Sequence, residues 1–157
     1  MDKFNIRKKL QGIQSSLKAP KGQTNNFGGY SYRSCEDILT ALKPLLAEWG
    51  CCLIISDEIV EKGSKLFVEA TATLHDIETS DLLFSKGEAE HADTKKGMDQ
   101  AQITGSASSY ARKYALNGLF AIDDTKDADA TNNHGKKPTT QTKKISQPAN
   151  ADSDFEF

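Results

Sequence analysis

The chain has 157 residues, 37% hydrophobic and 27% charged, which suits one folded domain plus a segment too polar to fold by itself. Twenty basic and 22 acidic residues leave a net charge of −2, excluding a globally basic nucleic-acid binder and requiring any such contact to come from local clustering. No run approaches the roughly 20 apolar residues of a membrane span, and MDKFNIRKKLQGIQ lacks the apolar core of a signal peptide, so a soluble, cytoplasmic protein is expected.

Ile6, Leu10, Ile13 and Leu17 recur at helical spacing and predict a first helix over about residues 2–17, ended by Pro20 and Gly22. Lys3, Arg7, Lys8 and Lys9 lie beside that stripe and read as a solvated basic face. KGQTNNFGGYSYR, residues 21–33, is a Gly/Asn-rich connection carrying Phe27, Tyr30, Tyr32 and Arg33. Rings interleaved with a cation suit single-stranded nucleic acid, because a base of any identity stacks on a ring for about 1–3 kcal/mol. The alternative for the two tyrosines is a role in covering a sheet edge.

Ser34 is an expected N-cap with Asp37 as its partner three residues on. Ile38, Leu42, Leu45, Leu46 and Trp49 continue a second helix to about residue 49, with Gly50 as the glycine that ends it. Pro44 predicts a kink or break near residue 43. Three strands should follow at 51–60, 65–75 and 82–92; Leu66, Val68, Ala70, Ala72 and Leu74 share one face of the second by period two. The short connections EKGS and DIETS make an antiparallel meander the expected arrangement. Cys35, Cys51 and Cys52 form no paired motif, the last two point to opposite strand faces, and His75, His91 and His134 are not spaced to complete a zinc site; free thiols in a reducing compartment are expected.

A long helix is predicted over about residues 97–118. Ile103, Ala107, Tyr110 and Tyr114 form its expected core stripe. Gly105, Ser109 and Arg112 follow one another at +4 and +3 along another line, with Lys113 beside it. Small residues let a ligand approach the backbone, and an arginine fork next to a lysine point charge suits phosphate. The competing reading is tight packing on the sheet, with both cations solvated. Lys95, Lys96 and Gly97 put positive charge just before the helix N-terminus, where an anion would be favoured.

After Phe120 the composition turns polar, and residues 128–157 read as a disordered tail behind a domain of residues 1–127. Asp123, Asp124, Asp127 and Asp129 lack the glycine and distal glutamate of a calcium loop and read as an acidic boundary. The chain ends in DSDFEF, where Asp152, Asp154 and Glu156 surround Phe155 and Phe157; this resembles the tail tip by which bacterial single-strand-binding proteins recruit partners. With no nucleophile–base pairing and no phosphate loop, neither enzyme activity nor a cofactor is expected.

NNFGGYSYRSCEDILTALKPLLAEWG (25–50) and MDQAQITGSASSYARKYALNGLFAIDDTKDAD (98–129) resemble the Erf family, the essential-recombination-function single-strand annealing proteins of bacteriophages. The resemblance covers about residues 4–129. It implies an α+β fold in which a three-stranded antiparallel β-meander is flanked by helices in the order helix-helix-β-β-β-helix. It also implies an ATP-independent protein that coats and pairs single-stranded DNA as a homo-oligomeric ring or filament in the host cytoplasm, with Tyr30, Tyr32, Arg33, Arg112 and Lys113 in its DNA groove. Phage or host recombination and replication proteins are the partners expected at the C-terminal tip. The aspartates after Phe120 either bind a divalent ion such as Mg²⁺ or cap the fold, and the resemblance leaves both open.

Overall fold

The computed structural model describes residues 5–26 and 29–123, all within one compact unit, Met1–Asp124. The proposed tail, most of the aspartate cluster and the DSDFEF tip lie outside the described residues. Helix α1 (Ile6–Ser16) starts where the Asn5 side chain accepts the Lys8 amide at 3.0 Å, satisfying one of the donors a helix start leaves open. Residues 21–33, read from sequence as a plain connection, contain an antiparallel hairpin of β1 (Gln23–Asn25) and β2 (Tyr30–Tyr32). Three-residue strands are too short to leave an alternating signal.

Helix α2 (Cys35–Glu48) opens with the expected capping box: the Ser34 hydroxyl accepts the Asp37 amide at 3.1 Å and the Asp37 carboxylate accepts the Ser34 amide at 2.8 Å. The helix runs through Pro44 as one element rather than breaking there. Ile38 and Leu42 are fully buried just before it, and that packing outweighs the one backbone bond a proline removes. Gly50, at φ 61°, turns the chain out of α2 in the left-handed conformation that favours glycine.

The next three strands are β3 (Cys51–Lys62), β4 (Lys65–Asp76) and β5 (Leu82–His91), hydrogen-bonded antiparallel in the order β3-β4-β5. The molecule therefore has the expected α+β meander. Its register aligns Leu53 with Leu74 and Leu83, Ile55 with Ala72 and Ser85, and Asp57 with Ala70 and Gly87. These rows share the face turned to the helices. The opposite face carries Ile54 and Phe84, both exposed in one row, and the ion pairs Lys86–Glu69, Lys62–Glu88 and Lys65–Glu90.

Helix α3 (Gln100–Phe120) begins just after its N-cap Asp99, about three residues later than the sequence suggested, and is capped at its end by Ala121 with φ 52°. Its buried residues are Ile103, Ala107, Ala111, Ala115, Leu116, Leu119 and Phe120. Tyr110 and Tyr114, expected in the core, are instead 50% and 46% exposed. The reason is steric. At Gly87 a single added methyl group would collide with the Ala111 carbonyl oxygen and the Ala115 amide nitrogen, so helix and strand touch backbone to backbone. Alanine fits that gap and tyrosine does not.

Lys9 is a further departure. It was grouped with a solvated basic face, yet its side chain is only 8% exposed and its Nζ lies 2.9 Å from Asp76 Oδ1. Position 9 sits between the buried Ile6 and Ile13 at +3 and −4, hence on the core side of α1. Asp76 also accepts the Glu78 amide at 2.9 Å. All three cysteines are free, with Cys51 buried and Cys52 exposed, as their opposite strand faces require. No helix among the described residues is long and apolar enough to cross a membrane.

Candidate nucleic-acid interface

A cavity of about 310 Å³ opens where β2, the start of α2 and the middle of α3 meet. Tyr32 and Arg33 wall it from the hairpin side, Ser34, Cys35 and Glu36 from the first turn of α2, and Ser109, Tyr110 and Lys113 from α3. The capping box fixes the entry of α2, and so fixes where Tyr32 and Arg33 stand just before it. Arg33 Nη2 donates to the Asp123 carbonyl oxygen at 3.2 Å, tying the site to the end of the described fold. Lys113 Nζ lies 5.4 Å from the Tyr110 ring centroid and 5.9 Å from that of Tyr114, and the two rings are 6.1 Å apart. A cation over ring faces is held there by the ring quadrupole. Burial pushes the Cys35 thiol up, against a smaller opposing pull from Arg112 and Lys113, so at neutral pH it is a protonated thiol and a poor nucleophile.

Arg112 lies elsewhere. Its Nε donates to both Asp57 oxygens, at 3.0 and 2.9 Å, and its Nη2 is 2.8 Å from Asp57 Oδ2. Ser108 Oγ donates to the same carboxylate at 2.5 Å. Burial works against the charged Asp57, but the hydrogen bonds from Arg112 and Ser108 outweigh it and hold the carboxyl below its usual range; the same bond raises Arg112. The predicted line Gly105–Ser109–Arg112 thus divides in two. Ser109 and Lys113, four apart, face the cavity, and Ser108 and Arg112, also four apart, face β3. Asp57 was missed in the sequence, although its parity with Cys51, Leu53 and Ile55 marks it as an inward-facing carboxylate in need of a partner.

Gly105 is exposed, and a methyl group built on it would meet nothing within 4 Å. Its bareness is not required by packing on the sheet. Lys95 borders a smaller cavity of about 120 Å³ with Ala89, Ser106 and Tyr110, whereas Lys96 lines neither cavity. The anion site expected at the start of α3 is already filled from within: the Asp99 carboxylate accepts the Gln102 amide at 2.8 Å. The backbone of Tyr30 pairs with Asn25, while its side chain lies outside what the structure describes. Among the described residues no group of three or more His, Cys, Asp or Glu is placed to hold a metal ion.

The cavity joins the two stretches of sequence on which the family resemblance rests, and a comparison with protein families agrees: the model described as the ERF superfamily matches residues 6–156. The chain belongs to the ERF superfamily. The match runs well past residue 129, where the resemblance read from the motifs stopped. This ERF chain is 55% identical over 139 residues to the essential recombination function protein of Salmonella phage P22, a match that covers 86% of the chain and 65% of the relative. The ERF chain thus spans just under two thirds of that relative's length. No solved structure matches it.

Proposed function

We propose that this ERF protein binds single-stranded DNA and pairs complementary strands without ATP, in phage homologous recombination. The observation that carries the reading is the cavity, where Tyr32 and Arg33 meet Ser109 and Lys113 from about 80 residues further along the chain. A half-exposed ring beside two cations over a floor of small side chains suits a sugar-phosphate strand with stackable bases. The name of the phage P22 relative, essential recombination function protein, supports the recombination role.

The physics of such a site gives the mechanism. Arg33 and Lys113 neutralise phosphates and release counterions, so affinity falls as salt rises. A strand held by its backbone leaves base edges open to a complement. A neutralised, ordered strand also meets less repulsion when that complement arrives. One near-neutral domain offers few cations, so strong binding calls for many copies in register, as a ring or filament would supply. Arg112 has a positioning role in this scheme: it braces α3 against β3 and leaves phosphate contact to its neighbour Lys113. The DSDFEF tip is assigned to recruitment of a recombination or replication protein.

The test mixes complementary oligonucleotides with the protein in the absence of ATP and follows duplex formation against salt. Faster pairing than in protein-free controls, lost as salt rises, is the expected result. Coating without faster pairing would instead make it a plain single-strand-binding protein.

A further inference from the structure

The tyrosine expected in the core stands in the surface between two hollows. Tyr110 borders the larger cavity with Tyr32, Arg33 and Lys113, and it also borders the smaller one with Lys95 and Ser106. One half-exposed ring is therefore a wall common to both, with Arg33 and Lys113 on one side and Lys95 on the other. The helix surface beside it is low. Gly105 has open space above it, and Ser106 and Ser109 carry only hydroxymethyl groups.

Glu36 is the acidic residue on the wall of the larger hollow; Glu90 borders the smaller one, with its carboxylate turned to the opposite face of the sheet. Glu90 is paired with Lys65 at 2.9 Å. Glu36 repels phosphate from its own wall and leaves the backbone of a bound strand to the side with cations. What remains available beside the ring of Tyr110 suits a neutral, flat group.

We infer that Tyr110 is a base-stacking post that divides the DNA track into two compartments, with the strand crossing α3 from Arg33 and Lys113 on one side to Lys95 on the other. The inference rests on the proposed single-strand binding and adds to it a path and a stacking residue. A base stacked on Tyr110 interrupts the run of bases free to pair. The strand is then presented in short segments, one break per protomer. Lys113, set over the same ring, holds a phosphate next to the stacked base.

The experiment measures binding of the full chain to fluorescein-labelled oligothymidine and to an abasic oligodeoxyribose phosphate of equal length. Tyr110→Ala is expected to weaken oligothymidine binding about 10-fold, with abasic binding changed by no more than about twofold, because only the stacking contribution is removed. Tyr110→Phe keeps the ring and should bind like the original chain. If circular dichroism shows Tyr110→Ala to be unfolded, Tyr110→Leu, which keeps apolar bulk without a ring face, takes its place with the same expectation. Equal losses on both oligomers, or none on either, would overturn the stacking role while leaving DNA binding intact. Failure of the original chain to bind oligothymidine would overturn the underlying reading as well.

Discussion

Two aspartates on the same face of the sheet each hold a cation from a helix. At one end, Asp76 takes Lys9 with side chains 1% and 8% exposed; further along, Asp57 takes Arg112 with side chains 20% and 41% exposed. The first pair is sealed under α1. The second opens to solvent, one helical turn from residues that line the cavity. The contrast separates two uses of one device. A sealed pair serves only the fold, since neither partner can reach a ligand. An open pair fixes the orientation of a helix whose next residue, Lys113, is turned to the site.

Variants that break the sealed pair should have the largest effect. Lys9→Ala strands a buried carboxylate and is expected to cost about 3–5 kcal/mol of stability, measured by urea denaturation. The pair also sets a response to acid. Its hydrogen bond to Lys9, helped by the Glu78 amide, holds Asp76 below the usual carboxylate range; Asp57 is held low as well, its bonds to Arg112 and Ser108 outweighing burial. Depressed carboxylates contribute stability above their unfolded pKa of about 3.9 and lose it as pH falls through the lower folded value. Denaturation midpoints should hold from neutral pH down to about 4 and then drop. A midpoint that stayed flat below about pH 4 as well would show that neither pair is formed in solution. Lys9, raised by the same bond, keeps its contribution until pH climbs beyond the ordinary lysine range.

The open pair should matter less to stability and more to comparison with its neighbour. Arg112→Ala is expected to cost on the order of 1 kcal/mol, because solvent screens a pair this exposed. Single-strand binding should then weaken with little change in its salt dependence. Lys113→Ala should instead leave stability nearly unchanged and flatten the slope of log affinity against log salt by about 0.7, the loss of one phosphate contact on a single strand. The same slope change in Arg112→Ala would mean that its guanidinium leaves Asp57 for DNA, and the distinction between the two cations would fail.

The smallest effect is expected at Gly105. Open space above an interior helical glycine predicts a gain of about 1 kcal/mol for Gly105→Ala, visible as a higher melting temperature. Weaker DNA binding in a stabilised Gly105→Ala protein would indicate that the strand lies directly on the helix backbone.

Residues whose neighbours lie close in the chain were legible in advance. The capping box at Ser34, the glycine turn at Gly50 and the three alternating strands each follow from a few consecutive residues, and each lies where it was expected. Tyr32, Arg33, Ser109 and Lys113 were read as site residues, and they do share one cavity. Lys9 and the two helix tyrosines were misread, and the pairing of Arg112 with Asp57 was not foreseen, because their environments depend on a distant strand. Asp57 is 55 residues from Arg112, and Asp76 is 67 from Lys9. Spacing within a helix tells which residues share a side but not which side meets the sheet. For α3 the deciding partner was Gly87, a residue whose contribution is the lack of a side chain.

That bare contact between β5 and α3 has a mechanical consequence. Where two backbones meet with nothing between them, no rotamer can flex to absorb a displacement, and a small rotation of the helix would drive a bulkier neighbour into the strand. The contact acts as a registration pin. Tyr110 directly precedes Ala111, so the backbone that carries its ring is set by the same contact.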